Sequence, residues 1–363
     1  MFIGSRSTLA LLAFFAIQLA SSAFAQPAPS TLPTVWVLST GGTIAGQGAS
    51  STDFSQYRSG AILGQQLVAG VPEIAKVASV KVEQVVNVSS SDITIEHWLI
   101  LANRINAIFR DDPDTAGVVV THGTNTLEET AYFLNLTVKS DRPVVVVGSM
   151  RPSTALSADG PLNLLNAVRT AVSSEARGKG VLIVMNDEIN AAREGTKTNT
   201  YRVETFRAPE LGLLGYVDED KVSIYRASTR RHTDRSEFEV RGLTSLPKVD
   251  ILYSYVQPST VLTKALIADG VSGIVFAGTG AGSLSKAELT ALEPLMKLPA
   301  QSRPIFVRSS RTGNGRVISR NDYDALGMIP ADTLNPQKAR VLLMLALTRT
   351  RDPKEIRRIF DEY

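Results

Sequence analysis

The stretch Val35–Gly46, VWVLSTGGTIAG, decides how the rest of this chain is read. Its first half is β-branched and aromatic, the composition of a buried strand. The run stops at Gly41 and Gly42, residues that let the backbone turn tightly and a ligand approach closely. Thr43 is thereby set at the carboxyl end of a strand, where open α/β sheets hold their ligands. Glycines at 41, 42 and 46 do not fit G-x-G-x-x-G, so the turn is not a dinucleotide fingerprint. Taken alone it is equally well a strand-to-loop turn with a solvated threonine.

A second stretch has the same form. Residues 116–134, AGVVVTHGTNTLEETAYFL, run from an apolar strand through Gly123 and Thr124 into a helix. Two strand ends, each offering a threonine hydroxyl, point to one crevice between Thr43 and Thr124.

Strands and helices alternate outward from these two motifs. Strands are expected at Val35–Ser39, Val80–Val88, Gly117–Val120, Val144–Gly148 and Val181–Met185, with helices at Thr94–Phe109, Leu127–Leu136 and Leu162–Ala171. That order predicts an α/β fold with a doubly wound, mostly parallel sheet over residues 33–226. Residues 227–248 are mostly polar and read as a linker. A smaller α/β domain over 249–363 follows, with strands near Val249–Tyr253, Gly273–Phe276 and Ile305–Arg308. It closes with a helix opened by Asn335 as N-cap and Pro336 at the first helical position.

Composition removes several function classes. There is no cysteine, hence no disulfide, thiolate nucleophile or thiolate metal site. The three histidines, His97, His122 and His232, are too scattered for a metal centre, so neither metal nor cofactor is expected. The formal charge of +3 comes from 38 basic and 35 acidic residues. The densest basic run, Arg226–His232, is followed by Asp234, Glu237 and Glu239, which predicts a solvated mixed-charge linker rather than a nucleic-acid surface. No G-x-S-x-G elbow is present, and glycines 278–282 lack a Walker lysine. At the start, Arg6, the apolar stretch Leu9–Ala20 and Ala23-Phe24-Ala25 form a secretory signal over residues 1–25, cleaved near Ala25. The mature chain is then periplasmic or secreted, with no membrane association.

The two glycine–threonine motifs together resemble the L-asparaginase family of amidohydrolases, and within it the bacterial periplasmic (type II) branch. The likeness extends through QVVNVSS (Gln84–Ser90), VGSMRPST (Val147–Thr154), SADGP (Ser157–Pro161), TKTNT (Thr196–Thr200) and LNPQKARVL (Leu334–Leu342). It implies hydrolysis of L-asparagine, or of L-glutamine as well, to the acid and ammonia by a homotetramer. Thr43 is then the nucleophile. Tyr57 assists it from the loop Gln47–Gly60, which acts as a lid. Thr124 and Lys197 form a proton relay. Ser90, Ser91 and Asn125, with Gly42 and Gly123, surround the substrate, Ser90 at its α-carboxylate.

Departures from the family pattern sharpen the expectation. The family carries aspartate at position 125, where it serves the relay and pairs with the substrate's α-ammonium. Asn125 keeps the shape, has N-cap-to-N3 spacing to Glu128, and loses the charge. Hydrogen bonds to charged groups contribute about 1.5–3 kcal/mol, so a penalty of roughly one to two orders of magnitude in kcat/KM is expected. Lys197 also loses an anionic neighbour, which favours its neutral form. Ser91 stands where glutamine is common. Ala281 and Ser283 replace asparagines in a loop that some members bring from a neighbouring subunit, and 308–326 lacks their glutamate. Asparagine and glutamine are therefore not separated by sequence. An exported amino-acid binding protein with weak turnover is the alternative of a different class.

Overall fold

Strands form where the chain is apolar on both sides, and their alternation divides the core in two. The computed structural model describes residues 1, 32–296, 298–299 and 302–363, so the expected signal segment lies, Met1 apart, outside the described residues. The chain divides into Met1–Thr31 and Leu32–Tyr363, and the second unit contains every strand and helix described.

Its larger sheet has eight strands: β1 (Thr34–Gly41), β2 (Ser79–Val88), β3 (Thr115–Thr121), β4 (Val144–Val147), β5 (Val181–Met185), β6 (Glu188–Ala191), β7 (Gly215–Val217) and β8 (Val222–Ile224). Their spatial order is β8-β7-β6-β5-β4-β3-β1-β2. Pairing is parallel from β2 across to β5 and antiparallel from β5 to β8. Side chains of successive residues leave a strand on opposite faces. Leu38, Val118, Val120, Val144 and Val146 accordingly enter one core, while Val35, Val37, Val119, Val145 and Val147 enter another. Helices α1 (Gly64–Ala69) and α4 (Gly160–Val172) cover the second face. Helices α2 (Ile95–Asp111) and α3 (Leu127–Thr137) cover the first. The expected doubly wound fold therefore holds.

Helix α2 shows why such segments fold as they do. Trp98, Leu101, Ala102, Ile105 and Phe109 recur at helical spacing and are buried. Thr94 caps its start by accepting from His97 N, and His97 Nδ1 accepts from Thr94 N at 3.1 Å. His97, half-buried, is thus part of a reciprocal cap. Trp98 stacks on Phe133 of α3 at 5.1 Å.

The smaller domain carries four parallel strands in sequential order: β9 (Val249–Tyr253), β10 (Gly273–Gly278), β11 (Ile305–Ser310) and β12 (Ile329–Pro330). Asn335 does cap a long helix, α5 (Pro336–Ala346), accepting from Lys338 N at 3.0 Å. The chain does not close there, because a further helix, α6 (Pro353–Glu362), follows behind an Asp352 cap. Helix α5 packs on α3 and on the small sheet, so Leu342 and Leu345 share a core with Leu38 and Phe133.

The solvated linker is corrected by the structure. Phe238 and Val240 are fully buried, and Ser236 O accepts from Lys139 Nζ at 2.7 Å. Arg230 pairs with Asp332, and Arg231 with Glu237 and Glu362. Arg358 of α6 binds both oxygens of Glu237, at 2.9 and 3.0 Å. His232 is buried as well. The charges in this segment are partners for α6, and the alternation of Phe238 and Val240 seats it as a packed strap.

Candidate active site

Chain order makes the crevice. After β1 the chain pairs β2 on one side and then crosses to place β3 on the other. The carboxyl ends of β1 and β3 thus lie at the point where strand order reverses, the position at which α/β sheets open a ligand crevice. Thr43 follows β1 and Thr124 follows β3.

The two strand ends meet backbone to backbone. Gly41 and Gly42 have φ of 97° and 81°, a region that disfavours side chains. A Cβ on Gly42 would stand 2.3 Å from Gly123 Cα, and one on Gly123 would stand 2.7 Å from Ser90 Oγ. Thr40 Oγ1 donates to Thr121 O at 2.9 Å, stitching the strands just below. Only glycines fit this junction.

His122 steadies it from beneath. It is fully buried, and burial pushes its imidazole down to about 4, against the opposing hydrogen bond to Gly123 O. The neutral ring donates through Nδ1 to Gly123 O at 2.7 Å and accepts at Nε2 from Thr130 Oγ1 at 3.0 Å. Trp98 Nε1 donates to that hydroxyl at 2.8 Å, which fixes the direction of the chain of bonds.

The cleft above this floor holds about 680 Å³ and is lined by Thr43, Tyr57, Thr124, Asn125 and Lys197, with Thr198–Tyr201 at its rim. Thr43 Oγ1 and Tyr57 OH are 2.7 Å apart. Tyr57 arrives on a short antiparallel pair, Gln47–Gly48 with Tyr57–Arg58. Its ring lies against Gly46, where a Cβ would come within 2.7 Å. On the other wall Lys197 Nζ donates to Thr124 Oγ1 at 2.8 Å and to Asn125 Oδ1 at 3.0 Å. Lys197 sits on the pair Thr196–Lys197 with Phe206–Arg207, where the sequence reads as an open loop. Burial lowers its ammonium from the usual lysine range, and Glu128 opposes that shift.

Ser90 and Ser91 lie under and beside this wall. Ser90 Oγ accepts from Asn125 N at 3.1 Å, and Ser91 Oγ accepts from Asn125 Nδ2 at 3.2 Å. Asn125 does not cap α3. Thr126 occupies the N-cap position, and the Asn125 amide turns to Lys197 and Ser91 instead. Glu128 does not reach back either, since it is drawn to groups from the far side of the helix.

Those groups are ones that sequence reasoning misses. Glu128, 5 % exposed, accepts from Lys197 N at 3.4 Å through Oε1 and from Asn335 Nδ2 at 2.9 Å through Oε2. Lys338, wholly buried, stands 3.7 Å from it and donates to Arg193 O and Gly195 O. The available signal was an acid and a lysine inside otherwise apolar helical faces. Ala281 and Ser283 fall in the turn after β10, outside the lining of this chain's own cleft. Among the described residues no cluster of three His, Asp or Glu is arranged to hold a metal ion, and no helix is long and apolar enough to cross a membrane.

An α/β protein with two threonines beside the crevice at a switch point has the form of a ligand-binding α/β scaffold. Comparison with known proteins gives the class its family. Residues 34–230 match the family described as asparaginase, N-terminal, and residues 248–360 match the glutaminase/asparaginase C-terminal domain. L-asparaginase 2 of Bacillus subtilis is 50 % identical over 332 residues, 92 % of this chain and 87 % of that one. A probable periplasmic L-asparaginase of Haemophilus influenzae is 47 % identical over 92 % of this chain and 93 % of its own. The crystal structure of a probable cytoplasmic L-asparaginase from Campylobacter jejuni superposes with a TM-score of 0.88 at 49 % identity, covering 91 % of this chain and 99 % of that one. The chain belongs to the asparaginase family.

Proposed function

We propose that this protein is an L-asparagine amidohydrolase releasing L-aspartate and ammonia through a threonine nucleophile. The observation that carries the reading is the pairing of two hydroxyls with two different proton partners around one cleft: Thr43 with Tyr57 at 2.7 Å, and Thr124 with Lys197 at 2.8 Å. Thr43 Oγ1 attacks the amide carbon as its proton passes toward Tyr57. Ammonia leaves with a proton, and an ester to Thr43 remains. Water held by Thr124 and Lys197 cleaves that ester and restores the hydroxyl. Burial lowers the Lys197 ammonium from the usual lysine range, which makes it easier for this side chain to give up and take back a proton in the relay.

The two-family match supports glutamine as a second substrate. We assign 33–226 to the domain bearing the threonines, 227–248 to the strap and 249–363 to the smaller domain. Export after cleavage near Ala25 and assembly as a homotetramer complete the proposal, the first favoured by the periplasmic relative. Ammonia release from asparagine and glutamine by the purified mature chain, alongside Thr43→Ala, tests the core of it. Turnover should fall by at least about a thousandfold in the variant; retained turnover would remove Thr43 from the nucleophile role.

A further inference from the structure

Both hydroxyls of the Thr43–Tyr57 pair hang from one backbone knot. Gly42 comes directly before Thr43, and Gly60 lies three residues beyond Tyr57. Gly60 N donates to Gly42 O at 3.2 Å, and Gly42 N donates to Val88 O at 3.0 Å. The exit of the Tyr57 hairpin and the carboxyl ends of β1 and β2 are thereby joined.

A bulge in β2 adds a side chain to this knot. Ser39 pairs with Gln84 and Gly41 with Val88, so two steps along β1 are matched by four along β2. Such a bulge re-aims a side chain that a regular ladder would point elsewhere. Gln84 fills the gap, its Nε2 donating to Ser39 O and Val86 O while its Oε1 accepts from Gly64 N at 2.9 Å. Asn87, at the far end of the bulge, donates through Nδ2 to Gly60 O at 2.5 Å. Its carboxamide takes the space that side chains at 41 and 60 would need. A Cβ on Gly60 would stand 2.5 Å from Asn87 Oδ1, and one on Gly41 would stand 3.0 Å from it. Gly60 has φ of 66°, in the region that favours glycine.

Gly60 is therefore held by both of its backbone groups, one to the residue before Thr43 and the other to Asn87. The entry of the hairpin has separate anchors, since Ser153 Oγ donates to Gly46 O and Gly48 N donates to Thr154 Oγ1. Asn87 thus governs the side of the hairpin that carries Tyr57. We infer that Asn87 is a positioning residue for the proposed reaction, setting the Tyr57 hydroxyl against that of Thr43 through the hairpin exit. It acts through Tyr57 and does not line this chain's cleft. The inference rests on the amidohydrolase reading and adds a residue to its machinery.

The test is a double-mutant cycle on ammonia release from L-asparagine by the purified chain. Asn87→Asp keeps the shape, removes the donor and sets an acceptor against Gly60 O. It should lower kcat/KM by about tenfold, with the melting temperature within a few degrees of wild type. Asn87→Ala, which adds no charge, should behave alike. In a Tyr57→Phe background either change should cost less than about twofold, because the hydroxyl being positioned is already gone. Equal losses in both backgrounds, full activity in the Asn87 variants or full activity in Tyr57→Phe each overturn the inference and leave the amidohydrolase reading standing. Folded wild-type protein that releases no ammonia removes that reading itself, and the inference with it.

Discussion

At the scale of single residues the site is governed by which groups are charged. Lys197 faces a neutral amide at position 125, and the acid that acts on it is Glu128, through its backbone amide and its field. Glu128→Gln should let the Lys197 ammonium fall further, because burial would then act without the opposing carboxylate. The acidic limb of kcat/KM against pH should move to lower pH. A limb that stays in place would reduce Glu128 to a packing role. Much of this was legible in sequence, since Thr43, Thr124, Asn125 and Lys197 all fall in one cleft. Glu128 was not, because it reads as a helix-capping acid until Asn335 and Lys338, more than two hundred residues later, are seen beside it.

At the scale of elements, the Tyr57 hairpin is seated by the missing side chain at position 46. Gly46→Ala would push a methyl into the Tyr57 ring, to within 2.7 Å of it if nothing moved. Turnover should drop by about tenfold to a hundredfold, close to that of Tyr57→Phe, while the melting temperature stays within a few degrees. A variant as active as wild type would show that the hairpin does not need this seat. The strap carries the opposite expectation: Phe238→Ala should cost about 3–5 kcal/mol of stability, read from a denaturant midpoint, and leave KM unchanged. Elements with a strong period were readable, such as α2 and the parallel strands. The antiparallel strands β6–β8 were not, because three or four residues show too few alternations to be distinguished from loop. The strap was misread because its charges looked solvated when no partner helix was in view; Arg358 and Glu362 supply those partners.

At the scale of the whole molecule, α3 and α5 put both sheets around one shared core, so the two domains should melt as one transition by calorimetry. That transition should depend on acidity. His122 is held neutral at about 4 when folded and returns to about 6.5 when unfolded. Its folded state thus binds fewer protons, so stability is full above about pH 6.5, declines as pH falls toward 4, and changes no further from this group below that. The span corresponds to about 3 kcal/mol. His122→Gln should be less stable at neutral pH and show a flatter decline between those values; an unchanged slope would assign the acid sensitivity elsewhere.

The carboxylate of Glu128 has one last consequence. With one oxygen on the strand that carries Lys197 and the other on the residue that caps α5, it lets the smaller domain report directly to the chemistry. A change at Asn335 that leaves the buried leucines of α5 in place would therefore be felt at the Lys197 wall of the cleft as well as at the start of that helix.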